Sequence, residues 1–266
     1  METTGAPKAN VVPTADVIAR TIAFDGCLNF RDLGGYTTRD DRVVQWRRLF
    51  RSDSLHRMSS ADVARLIDEL GVVTVIDLRT QMERDRGGPV PATSFAGVRS
   101  VHVPMIDELF AERAERRRSA RPADMGEGYV AMLELAGEHV AGLLHLLTGD
   151  VYPAVFFCAA GKDRTGVFAA LVLALLGVQD DDVVADYALT DLVARAIIER
   201  ADRELYEHMW ASLPPEARGA PARVMQSMLA AIARKHGSVE SYVASLGVGP
   251  DVVEGLRARL LSSSND

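Results

Sequence analysis

Along the chain the spacing of apolar positions switches repeatedly between strand-like and helix-like. Between Ala23 and Asp53, β-forming residues are interrupted by Gly34-Gly35 and by the turn-like Arg39-Asp40-Asp41, which predicts short strands or a hairpin. Ser59-Ser60-Ala61-Asp62 carries the signature of a helix start; Val63, Leu66, Ile67 and Leu70 follow at helical spacing, and Gly71 closes the helix. The β-branched run Val72 to Leu78 predicts a buried strand. A second strand, Val98 to Met105, leads into a charged segment with Pro and Gly from Asp107 to Gly128, then into an apolar helix from about Tyr129 to Leu147. A third strand, Val155 to Cys158, runs into Gly161 and a helix ending at Gly177. Beyond Asp180 every pattern is helical: about 181–211, 222–235, 239–245 and 251–262.

Strand alternating with helix predicts an α/β fold, a mostly parallel sheet flanked by helices, with a helical C-terminal part. No internal repeat or low-complexity linker divides it. The expected organisation is a flexible N-terminal tail over 1–20 and a single domain over 21–262, with 107–128 as a candidate lid.

Composition narrows the function. A chain of 266 residues, 48% apolar and 25% charged, has the make-up of a soluble globular protein. A formal charge of −7 argues against nucleic acid or an acidic membrane as a chain-wide partner, so any anion site must be local. The longest apolar stretch, Val167 to Val178, falls short of the roughly 20 residues a bilayer requires and reads as a core helix, not an integral membrane segment. Met1 to Ala15 lacks the basic start and apolar run of a secretory signal. Two cysteines, Cys27 and Cys158, are too few for a disulfide scaffold and fit a reducing, cytoplasmic setting.

The informative segment is Cys158-Ala159-Ala160-Gly161-Lys162-Asp163-Arg164-Thr165-Gly166. A strand ends at a cysteine, five residues intervene, and an arginine opens a helix. Backbone N–H groups of such a loop and the positive end of the helix dipole can converge on one tetrahedral anion. The same field favours thiolate over thiol at Cys158. Arg164 adds a planar fork of donors suited to two phosphoryl oxygens. Thr165 is placed to hydrogen-bond the sulfur as it leaves, and Gly161 and Gly166 permit a tight loop. A Walker loop is excluded, because Lys162 is followed by Asp163 and lacks the earlier glycine.

This segment resembles the signature of the protein tyrosine phosphatase superfamily, and its Gly-Lys-Asp-Arg-Thr-Gly form is similar to the bacterial group with dual protein and phosphoinositide specificity. Asn29-Phe30-Arg31-Asp32-Leu33-Gly34-Gly35, Phe50-Arg51-Ser52-Asp53, Ile76-Asp77-Leu78-Arg79 with Glu83, and Asp186-Tyr187-Ala188-Leu189-Thr190 resemble that group's other motifs, in its order, over roughly 24–260. The resemblance implies hydrolysis of a phosphomonoester through a phosphocysteine, without metal or other cofactor. Cys158 is then the nucleophile, Arg164 the phosphate clamp, and Ala159, Ala160, Gly161, Lys162 and Gly166 line the substrate phosphate. Asp163 is implied as general acid; Asp107, at the end of a strand and the start of the candidate lid, is its rival. The implied partner is a phosphorylated substrate: a phosphotyrosine protein, a phosphoinositide through the extra charge of Lys162, or a small-molecule phosphate ester.

One departure stands out. The family carries histidine immediately before the cysteine, and this chain has Phe157, which removes a hydrogen bond from the loop and implies a less activated thiolate. A phosphate-binding pseudophosphatase is therefore a second reading. For Arg31, Asp32, Asp53, Asp77 and Arg79, bracing of the loop competes with substrate contact. Arg113, Arg116, Arg117, Arg118 and Arg121, interleaved with Glu112 and Glu115, fit a solvated helix face at least as well as an anion-attracting lid. Cys27 reads as inert packing, the six histidines lack metal-ligand spacing, and Asp180-Asp181-Asp182 reads as an acidic helix start.

Overall fold

A computed structural model describes residues 15–106, 125–200 and 218–262. Helix α1 (Ala15–Arg20) covers the last six residues of the expected tail, and its Arg20 is buried, with the guanidinium 3.5 Å from the centroid of the Tyr36 ring. The predicted strands between Ala23 and Asp53 are β1 (Arg31–Asp32) and β2 (Leu49–Ser52), paired antiparallel. Helix α2 (Ser60–Ala64) starts at a capping box, Ser59 with Asp62, and widens into one π turn over Arg65–Glu69 before Gly71 turns the chain at φ +68°.

Strand β3 (Thr74–Asp77) is followed by α3 (Gln81–Gly87), opened by a second capping box of Thr80 and Glu83. Strand β4 (Arg99–His102) is shorter than the apolar run that predicts it and lies at the sheet edge. Two helices replace the single one expected over Tyr129–Leu147: α4 (Met125–Leu135) and α5 (Gly137–Leu146). Their joint is Ala136, after which Gly137 packs so closely on Leu246 that a Cβ would lie 2.8 Å from its Cδ2. Apolar spacing continues through the joint, so periodicity alone does not reveal it.

Strand β5 (Ala154–Phe157) ends one residue before Cys158, and α6 (Asp163–Leu176) closes on Gly177 in the left-handed region, as predicted. The helix expected over 181–211 divides into α7 (Asp180–Ala188), a 3-10 turn at Leu189–Leu192, and α8 (Ala194–Arg200); the rest of that range lies outside the described residues. The break falls where the buried Thr190 hydroxyl accepts a hydrogen bond from Asn29, 3.3 Å away. Helices α9 (Ala222–His236), α10 (Val239–Ser245) and α11 (Pro250–Leu260) complete the described chain.

The sheet order is β1-β2-β5-β3-β4, parallel throughout except at β1. Both faces are covered, which explains the continuous apolar runs. Alternate residues of the inner strands enter two cores: Leu49, Ile76 and Phe156 meet α4 to α7 and α9 to α11, while Phe50, Val75, Val155 and Phe157 meet Phe24, Phe30, Leu55 and Val63 on the other face. All but one of the 14 residues of α6 are buried, so the strand β5 and helix α6 that flank the loop form the centre of the molecule. Among the described residues no helix is long and apolar enough to cross a membrane.

Candidate active site

The loop from Cys158 to Lys162 connects the central strand to the N-terminus of the most buried helix, which fixes both of its ends. Its back is held by hydrogen bonds to three successive carbonyls. Ala159 O accepts from the Ser54 N–H at 3.3 Å, and Ala160 O from Asn29 Nδ2 at 3.3 Å. Gly161 O accepts from Asn29 Nδ2 at 3.2 Å and from Arg51 Nη2 at 2.7 Å. In a trans peptide the N–H points opposite to the C=O of the same plane. Binding the carbonyls behind the loop therefore turns the N–H groups of Ala160, Gly161 and Lys162 to its other side. That is the arrangement an anion-binding loop requires.

Gly161 adopts φ +64° and lies against the end of β2, where an added Cβ would come within 2.6 Å of Ser52 O and Asp53 N. Gly166 has a different reason: a Cβ there would lie 2.9 Å from the Tyr187 ring.

Behind Gly161 stands a buried ionic cluster. Asp186 receives Arg31 Nε at 2.9 Å and Arg51 Nη1 at 2.5 Å, with all three side chains almost wholly removed from solvent. Burial pushes the Asp186 carboxyl up, but the two guanidiniums outweigh it and hold it at about 2. Asn29 Oδ1 accepts from Arg31 at 2.6 Å, so the side chain that grips Ala160 and Gly161 is itself oriented by the cluster. Asp53 accepts the N–H groups of Leu28 and Asn29, each at 2.9 Å. Asp32 accepts those of Gly34 and Arg47, and Asp77 pairs with Arg79 at 2.8 Å. Arg31, Asp32, Asp53, Asp77 and Arg79 are thus engaged in bonds that brace the scaffold.

Arg164 opens α6 and is gripped in the fork by Glu83: Nη1 to Oε2 at 2.5 Å and Nη2 to Oε1 at 2.7 Å. Glu83 Oε2 also accepts the Thr80 N–H at 2.8 Å. One carboxylate thus caps α3 and sets the plane of the guanidinium. Cys158 is buried beside α6, and Thr165 Oγ1 is buried without a hydrogen-bond partner among the described residues. The bond from Thr165 to the sulfur that its position suggests is not made in this state.

Lys162 is buried rather than offered to solvent, and its Nζ lies 3.7 Å from Asp163 Oδ1. Asp163 is 41% exposed. Its Oδ1 accepts a hydrogen bond from the Tyr129 hydroxyl, which stands 2.9 Å from the Tyr187 hydroxyl. Burial first, and then the charge of Asp163, push the Tyr129 phenol well above its usual range, so it remains a donor. Tyr129 and Tyr187 are site residues that the sequence pattern does not single out as a pair. Asp107, most of the candidate lid, and the arginines from Arg113 to Arg121 lie outside the described residues.

A thiol and a guanidinium at the two ends of a loop with inward-turned amides, set between a central parallel strand and a helix N-terminus, define a cysteine-dependent phosphatase. The sequence agrees: residues 22–262 match the tyrosine phosphatase family, and the chain belongs to it. A Cupriavidus necator protein, provisionally named a tyrosine-protein phosphatase, is 36% identical over 66% of this chain and 67% of its own. The triple specificity protein phosphatase PtpB of Mycobacterium tuberculosis is 27% identical over 89% of this chain and 97% of its own. A tyrosine-protein phosphatase of Nostoc commune is 29% identical over 76% of this chain and 72% of its own.

Proposed function

We propose that the protein hydrolyses aryl phosphate monoesters, phosphotyrosine in proteins foremost, through a phosphocysteine on Cys158. The observation that carries this reading is the loop itself, with three carbonyls bound behind it, Cys158 at one end and Arg164 at the other. In the first step the Cys158 sulfur attacks phosphorus in line while the ester oxygen departs. Amides of the loop and the Arg164 fork hold the three equatorial oxygens, whose charge they stabilise throughout.

Asp163 gives the departing oxygen its proton and becomes a carboxylate. Its side chain is 41% exposed and stands one position before Arg164, which supports it as the donor. In the second step water attacks the phosphocysteine, Asp163 takes the water proton, the P–S bond breaks, and the thiolate and inorganic phosphate return. The unpartnered Thr165 hydroxyl is available to donate to the departing sulfur. A nucleophilic thiol must stay reduced, and both cysteines are free, which supports a cytoplasmic setting.

The test is release of phosphate from phosphotyrosine peptides and a chromogenic aryl phosphate, with Cys158→Ser alongside. Turnover by the natural protein, none by the variant, and a phosphocysteine trapped on acid quench support the reading. Equal background rates from both proteins overturn it.

A further inference from the structure

Resting on the assignment of Asp163 as general acid, we infer that Tyr129, supported by Tyr187, is a positioning residue that selects which oxygen of Asp163 carries the catalytic proton. A protonated carboxyl keeps one carbonyl acceptor and offers one O–H donor. Tyr129 donates to Oδ1, and the Lys162 ammonium stands on the same oxygen at 3.7 Å. Both contacts stabilise electron density at Oδ1 and disfavour a proton there. The proton therefore resides on Oδ2, and the Tyr129 bond keeps the carboxyl from rotating to exchange the two.

Tyr129 lies in α4 and Tyr187 in α7, so the acid is tied to two helices besides its own. The two rings pack edge to face with centroids 6.1 Å apart, and Gly166 lets the Tyr187 ring approach α6. Asp186 and Tyr187 are consecutive in α7. Asp186 holds Arg51, and through it Gly161 O at the back of the loop, while Tyr187 holds Tyr129, and through it Asp163 at the start of α6. Helix α7 thus sets the phosphate-binding amides and the acid in one register. Positioning of this kind matters because proton donation requires hydrogen-bond geometry at the leaving oxygen.

The experiment compares Tyr129→Phe, Asp163→Asn and the double variant on two esters: phenyl phosphate, whose leaving group needs a proton, and 2,4-dinitrophenyl phosphate, whose leaving group does not. The expected result for Tyr129→Phe is a fall in kcat/KM, which reports formation of the phosphocysteine and not the hydrolysis that both esters share, of about 10-fold on phenyl phosphate, as for loss of one hydrogen bond to a charged group. On the dinitrophenyl ester kcat/KM falls by under about 2-fold. The double variant should be no slower than Asp163→Asn alone. Tyr187→Phe, which leaves the Tyr129 to Asp163 bond in place, should show the same ester dependence with a smaller loss, and it serves if Tyr129→Phe does not fold.

Equal losses on the two esters, or losses that add fully to those of Asp163→Asn, make Tyr129 merely structural and overturn the proposal. Should Asp163→Asn itself lose kcat/KM equally on both esters, the acid assignment fails, and the positioning role falls with it.

Discussion

The guanidinium of Arg51 donates to the carbonyl of Gly161 at 2.7 Å while its other terminal nitrogen is paired with Asp186 at 2.5 Å. The back of the loop is thus held by a buried charge that is itself paired with a carboxylate of a different helix. The arrangement has a cost, since three charges are buried together and each depends on the others.

Asp186→Asn should therefore leave Arg31 and Arg51 without a counter-charge and destabilise the protein by about 3–5 kcal/mol at neutral pH, measured by urea unfolding. The pH dependence has a definite sign. A carboxyl held at about 2 when folded contributes its full stabilisation above the unfolded carboxylate range, and loses it as pH falls through the folded value. The stability gap between natural protein and variant should be constant above about pH 5 and narrow toward pH 2.

Glu83 sets the plane of Arg164 with two hydrogen bonds. Glu83→Gln removes the charge and one of the two acceptors while keeping an acceptor for the Thr80 N–H. The expected outcome is a drop of about 10- to 100-fold in kcat/KM, as for the loss of charge-assisted bonds. Inorganic phosphate should become a weaker competitive inhibitor, with little change in Tm. A large fall in Tm with unaltered phosphate inhibition would instead assign Glu83 to the helix cap.

Gly161→Ala tests the loop geometry directly. The added Cβ would meet backbone atoms of Ser52 and Asp53 at 2.6 Å, and backbone cannot step aside as a flexible side chain can. Gly88→Ala is the control, with φ +77°, ψ 178° and nothing within 4 Å, so it carries only the backbone strain of a region that favours glycine, about 1–3 kcal/mol. Gly161→Ala should lose kcat/KM by more than about 100-fold; Gly88→Ala should retain it and lose only stability. Similar kinetics for the two variants would show that the close approach at Gly161 is not needed.

The elements legible in the sequence are those whose cause is local. Ser59 with Asp62 makes a capping box, Gly177 ends α6 through its left-handed φ, and the runs that fill β3 and β5 are continuous because helices or loops cover both faces. The Cys158 to Arg164 spacing is likewise local, because one loop holds both ends. What was not legible depends on contacts distant in sequence: Tyr129 and Asp163 are 34 positions apart, and Arg51 and Gly161 are 110. Neither pair leaves a period or spacing to read. The break at Ala136 is hidden for a related reason, since it answers to Leu246 in the turn after α10.

Phe157 is the position where the family pattern and this chain disagree, and its surroundings explain the residue. The ring is fully buried on the face of the sheet occupied by Phe24, Phe30 and Phe50, and the Arg79 guanidinium lies 5.2 Å from its centroid. An aromatic face attracts that cation, whereas a protonated imidazole would be repelled by it and a neutral one would bring two ring nitrogens into an apolar cluster. Phe157→His is thus expected to destabilise the protein by about 1–3 kcal/mol, the cost of a poorly paired buried polar group. It should not raise kcat, because the loop is already oriented through Ser54, Asn29 and Arg51. Urea unfolding together with kcat/KM on an aryl phosphate decides the matter: a variant as stable as the natural protein and faster than it would mean that the histidine's role has been left vacant here, not taken over by the scaffold behind the loop.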